Sequence, residues 1–121
     1  MEAKFPEYLG HLKALAGKLS KEIPGTMSGF GMLHKEALAA GALSTKVKEL
    51  MALAISISAG CEGCIAFHTH DALRAGATRQ EIMETIAVAI LMGGGPSVIY
   101  GAEALDALDQ FEAKGGATGP S

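Results

Sequence analysis

Two cysteines, Cys61 and Cys64, stand two residues apart in the stretch CEGCIAFH, and His68 follows four positions after the second. Thiols and imidazoles of this kind build metal sites, redox dithiols and acid–base relays. An α-helix advances about 100° per residue, so Cys64 falls about 60°, and His68 about 20°, from Cys61 around a helix axis. The three side chains share one stripe, whereas His70 falls on the opposite face. Cys64 and His68 are an i, i+4 pair, neighbours on a helix surface. One-turn spacing of the cysteines is compatible with a disulfide at a helix start. A thiol in a first helical turn meets unpaired N–H groups and the positive end of the helix dipole, and both favour the thiolate. An adjacent imidazole can take the thiol proton or, once charged, hold the thiolate.

A carboxylate completes the candidate set. Glu49 lies 12 residues before Cys61, at the start of the apolar run Leu50, Met51, Leu53. It admits two readings. Buried, it needs a partner, and His68 is the one at hand, since a carboxylate orients an imidazole and sets its tautomer. Solvated, it is a first-turn acid favoured by the helix dipole. The cysteines also admit other readings. They could ligate zinc with His68 and Glu49, but a structural zinc site usually brings a second CxxC or a paired histidine, and this chain has neither. They could equally be inert core residues. His70 and Asp71 adjoin the motif off its stripe and are read as surface or subunit-contact residues. His11 and His34 are read as structural or surface residues, and Met51, Met83 and Met92 as packing. Tyr100 is a weak further donor. Gly93–Gly95 neither follows a strand nor precedes GK[ST], so it is not a phosphate loop.

The elements that position these residues are helical. Alanine, leucine and methionine are abundant, and no hairpin turn separates alternating strands. A first helix is expected over 7–21, with Leu9, Leu12, Leu15 and Leu19 at helical spacing, ended by Pro24-Gly25. A second covers 26–40, with Met27, Phe30, Leu33 and Leu38 inward and Gly41 closing it. Ser44 is a good N-cap for a third helix over 45–59 that is apolar on nearly every side. Gly60 interrupts, and a fourth helix opens near Cys61 and runs to Ala75, with Gly76 after it. The third and fourth helices are then an antiparallel pair. Thr78-Arg79-Gln80-Glu81 reads as a capping box before a fifth helix over 79–92. Pro96 opens a sixth that ends near Lys114.

The chain has 121 residues, which suits one domain over 1–114, with 115–121 a disordered tail. A net charge of −3 and a pI near 5.8 argue against a nucleic-acid partner. The opening MEAKFPEYLG has no signal-peptide pattern, and the apolar stretch Leu50–Cys61 is too short for a bilayer span. A cytoplasmic location without membrane contact is expected. In a reducing compartment a close cysteine pair is more often catalytic or metal-binding than a structural staple. With 49% hydrophobic and 19% charged residues, a small helical chain has too little polar surface to cover itself, so a homo-oligomer is expected.

Glu49, eleven residues, Cys61-Glu62-Gly63-Cys64, three residues, His68 is the E-x11-CxxC-x3-H pattern, and HTHDALRAGATRQEIMETIAVAILMGG continues it. Through these residues the chain resembles the alkylhydroperoxidase D-like / carboxymuconolactone decarboxylase superfamily, well over 44–101 and loosely before that. The resemblance implies an all-α bundle of about six helices, assembled as a homo-oligomer, commonly a trimer or a hexamer. Members with the cysteine pair are dithiol peroxidases or disulfide reductases, and the decarboxylases are expected to lack it. It thus implies an antioxidant, thiol-dependent peroxidase or disulfide reductase. Cys64 would attack a peroxide and become a sulfenic acid, Cys61 would resolve it as a disulfide, and His68 and Glu49 would relay the proton. A lipoyl or thioredoxin-like dithiol would reduce the pair. No cofactor or metal is expected. Some peroxidases of the family carry a histidine immediately before the second cysteine, where this chain has Gly63. Two other functions fit the same residues: a decarboxylase-like lyase using Glu49 and His68, and a non-enzymatic redox-sensing oligomer.

Overall fold

The computed structural model describes residues 4–115. The expected tail therefore lies almost wholly outside the described residues. The chain forms α1 (Phe5–Glu22), α2 (Pro24–Leu38), α3 (Thr45–Ala59), α4 (Glu62–Arg74), α5 (Arg79–Gly93) and α6 (Gly95–Ala113). Among the described residues there is no strand. The fold is all-α, as expected.

Local chemistry sets most helix ends. Ser44 accepts the Val47 N–H and caps α3. Thr78 accepts the Glu81 N–H, and Glu81 reaches back to the Thr78 N–H, closing the capping box of α5. Lys46 of α3 adds a 2.9 Å ion pair to the same Glu81. The Thr78 N–H, then Lys46, hold the Glu81 carboxyl below its ordinary range. Its contribution to folding is thus present above the ordinary glutamate pKa and is lost as pH falls through the lowered value. Gly76 follows α4 with φ +98 and closes it through Gly76 N–H to Leu73 O and Ala77 N–H to Ala72 O.

The core sits among α3, α4, α5 and α6, with α1 laid across α4 and α6. Leu53 and Ile57 of α3, Ile65 of α4, Ile82 of α5 and Leu108 of α6 are fully buried. From α1 they are joined by Phe5 and Leu9. The Phe5 N–H is pinned to the Gln110 side chain of α6 at 2.6 Å.

Helix α2 departs from expectation. It starts at Pro24, since proline is tolerated in a first turn, and stops at Leu38 because Ala39 turns extended. Gly41 therefore lies beyond the helix and does not close it. Instead Thr45 Oγ1 donates to Leu38 O and Lys48 Nζ to Ala39 O, tying the end of α2 to the start of α3. None of α2 is buried, and Phe30 and Leu33, expected inward, are 60% and 62% exposed. The reason is placement. Helix α2 packs mainly on α1, with little of α3, so Met27 and Leu38 are half-buried while Phe30, Met32 and Leu33 face outward. The outer sides of α3 and α5 are also apolar, with Ile55 67%, Leu91 79% and Met92 77% exposed.

Replacing the cap by Thr78→Ala should lower the unfolding free energy by about 1 kcal/mol, read from urea denaturation at neutral pH.

Candidate functional site

One reversal of the chain places every residue of the motif. Gly60 takes the left-handed conformation, φ 68 and ψ 36, that glycine adopts without steric cost. The Gly60 N–H then bonds Ile57 O and the Cys61 N–H bonds Ser56 O, the paired closure that turns a chain off the end of a helix. Cys61 also starts the next helix. Its carbonyl accepts the Ile65 N–H at 2.9 Å, and its Sγ accepts the Cys64 N–H at 3.2 Å. Cys61 thus ends α3 and caps α4. The Tyr100 ring of α6 backs the turn, since a Cβ on Gly60 would lie 3.0 Å from it.

Cys61 and Cys64 form a disulfide, with Cα atoms 5.2 Å apart. Both residues are half-buried. The inert-core reading therefore fails. With the sulfurs bonded to each other, neither serves as a zinc ligand here.

Glu49 is on the inner side of α3, 5% exposed, and is not the solvated first-turn acid of the alternative reading. Its Oε1 lies 2.7 Å from His68 Nδ1 across the α3–α4 contact. A proton on Nδ1 donates to the carboxylate and leaves Nε2 as the free acceptor. The His68 side chain stays one-fifth exposed, so solvent reaches the pair. The structure thus brings the Glu49–His68 pair together, and places His68 one turn after Cys64 on α4, with Cys61 joined to Cys64 from the N-cap.

Two residues near the pair were read differently from sequence. Asp71 is not remote: ligand atoms of Glu49, His68 and Asp71 all lie within 4.8 Å of one another. The signal was available, because Asp71 is three residues after His68 and thus about 60° away on the same helix. Asp71 also pairs with His70 Nδ1 at 2.9 Å, and the His70 ring meets Phe111 edge-on. His34 of α2 stacks beside the His68 ring, with centroids 6.5 Å apart and planes 17° apart. No spacing rule could connect His34 to His68, since they meet only through the docking of α2. Glu49, His68 and Asp71 have the donor types that a divalent cation takes, and such an ion would compete for the Glu49–His68 hydrogen bond.

Gly63, between the cysteines, faces α1. A Cβ there would lie 3.1 Å from Leu12 Cδ1 and 3.5 Å from the Tyr8 hydroxyl. A histidine at this position would have to displace Leu12. Helix α1 therefore covers the side of the dithiol turn that a larger residue would occupy.

A model of the carboxymuconolactone decarboxylase family matches residues 24–107. An uncharacterized protein of Cupriavidus necator is 42% identical over 97 residues, 80% of this chain and 86% of that protein. Among solved structures, a carboxymuconolactone decarboxylase family protein from Legionella pneumophila superposes with a TM-score of 0.87 at 42% identity, over 91% of this chain and 98% of that one. A family protein from Thermotoga maritima gives 0.79 at 28% identity, over 98% of this chain and 99% of that one.

Gly60→Ala forces a Cβ into a left-handed residue and against Tyr100, and should cost about 1–2 kcal/mol of stability. Thermal unfolding of the oxidised protein would register the loss.

Proposed function

Given that the chain belongs to the carboxymuconolactone decarboxylase family, we propose that it is a thiol-dependent peroxidase or disulfide reductase working through Cys61 and Cys64. The observation that carries this reading is the closed Cys61–Cys64 disulfide on the helix face that also holds His68, itself paired with buried Glu49. The relative from Thermotoga maritima, proposed to take part in an antioxidative response, supports it.

In the reduced protein the Cys64 thiol gives its proton to His68, whose Nδ1 side Glu49 fixes. The thiolate attacks one oxygen of a hydroperoxide, and the O–O bond breaks. The leaving alkoxide takes a proton from the relay and departs as an alcohol, while Cys64 becomes a sulfenic acid. The Cys61 thiolate then attacks the Cys64 sulfur. The S–O bond breaks, the hydroxide is protonated to water, and the disulfide forms. An external dithiol, of lipoyl or thioredoxin-like chemistry, delivers two electrons, restores both thiols and is itself oxidised to a disulfide. The cytoplasm supplies such dithiols, and we place the protein there. Among the described residues no helix is long and apolar enough to cross a membrane. We further propose that the exposed apolar sides of α2, α3 and α5 meet other copies of the chain, in a trimer or a hexamer.

With a dithiol reductant present, wild-type protein should consume hydroperoxide or reduce a disulfide substrate. Cys64→Ser should lose that turnover at least about a hundredfold, and His68→Ala about ten- to a hundredfold or more. Turnover by Cys64→Ser equal to wild type would overturn the proposal. Light scattering should return a mass three or six times the 12.4 kDa chain. A monomer would refute the assembly.

A further inference from the structure

Glu62 stands between the two cysteines and takes no part in the relay. It is not an isolated surface acid. It opens α4 one residue after Cys61, and its carboxyl lies within hydrogen-bond reach of the Glu103 carboxyl on α6. Among the described residues, Glu103 Oε1 is buried and accepts no hydrogen bond. Two ionised carboxylates placed this way repel, and a buried carboxylate oxygen without a donor is costly. One proton held between them removes both penalties. Such a pair titrates as a unit, as closely placed carboxyls do.

A further charge acting on Glu103 is Asp106, three residues along α6, and it is acidic as well. Burial first, then the contact and charge of Glu62, then Asp106, push Glu103 up to about 7. Because the folded protein keeps this proton beyond the ordinary glutamate range, the stability it contributes is fully present below that range. It is lost as pH rises toward about 7.

The pair matters because of where it sits. Cys61 at the N-cap and Glu62 in the first turn share the same cluster of unpaired N–H groups and the same positive dipole end. A Cys61 thiolate and a Glu62 carboxylate therefore compete for one favourable field. With the proton shared, the carboxyl pair adds one negative charge to that end. With the proton gone, it adds two, and the second opposes the thiolate.

We infer that Glu62 and Glu103 form a proton-holding carboxyl pair that sets the charge beside the dithiol, which makes Glu103 a positioning residue for the reactivity of Cys61. The inference deepens the thiol reading above and rests on Cys61 working as a thiolate. The pair keeps the local charge low when it is protonated and restrains thiolate formation once it ionises. Thiol ionisation in this protein is therefore stretched over a wider pH range than a lone thiol would show.

The test uses the full chain, reduced with a small dithiol that is then removed, and needs no peroxide. Thiolate is followed by its ultraviolet absorbance against pH, and Glu103 by the carboxyl carbon signal in NMR. In wild type, Glu103 should titrate near neutral pH and the thiolate curve should be broad. Glu103→Gln keeps the shape and a donor for Glu62 but removes the second charge. Its thiolate curve should narrow and move to lower pH by about half a unit or more. Glu62→Gln, at an exposed position, should do the same and serves if Glu103→Gln fails to fold. Glu103 titrating with ordinary carboxylates, or thiolate curves unchanged in both variants, would overturn the inference. A protein inactive toward peroxides but with these titrations intact would instead count against the enzymatic reading alone.

Discussion

The site depends on a single chain reversal in which one residue serves two helices. The backbone N–H of Cys61 closes α3, while its carbonyl and sulfur begin α4. The glycine before it supplies the only conformation that lets the first closure form without strain, and Tyr100 fills the space a side chain would need. This arrangement sets how α4 returns along α3. It thereby sets which residue of α3 meets His68. Glu49 is that residue, and the 2.7 Å contact is a consequence of the turn as much as of the two side chains. Burying a carboxylate is costly unless it is paired, so the pair in turn resists any other register of the two helices.

Charge is distributed unevenly around the disulfide. Behind it, toward α3, stands the Glu49–His68 pair with Asp71 close by. At the helix start stands the second acidic group, Glu62 with Glu103. The positive end of α4 is a fixed counterweight at that start. Once the disulfide opens, a thiol at this helix start would answer to that field and to the carboxyls around it.

Much of the scaffold was legible in local chemistry. Ser44, Thr78 and Gly76 act on backbone groups within a few residues of themselves, so their roles follow from sequence alone. The i, i+4 placement of Cys64 and His68 was legible for the same reason, while Cys61 stands before the helix as its extended N-cap. Glu49 was only half legible, because burial depends on how α4 returns and not on α3. Helix α2 was misread because an apolar face looks the same whether its own core or something else covers it. Asp71 was missed although its helical phase, about 80° from Cys61 and about 20° from Cys64, puts it beside the stripe. His34 and Glu103 reach the site only through packing between distant helices, and no local pattern records that.

Helix α1 lies wholly before residue 24, where the family match begins, yet it is the element against Gly63. The residues of the motif and the helix that roofs one side of them thus lie on different parts of the chain, the first inside the family match and the second before it. Changes at Tyr8 or Leu12 would reshape the approach to the disulfide and leave Glu49, His68 and the cysteines in place. What can reach the sulfurs from that side is then decided by the first helix, outside the motif itself.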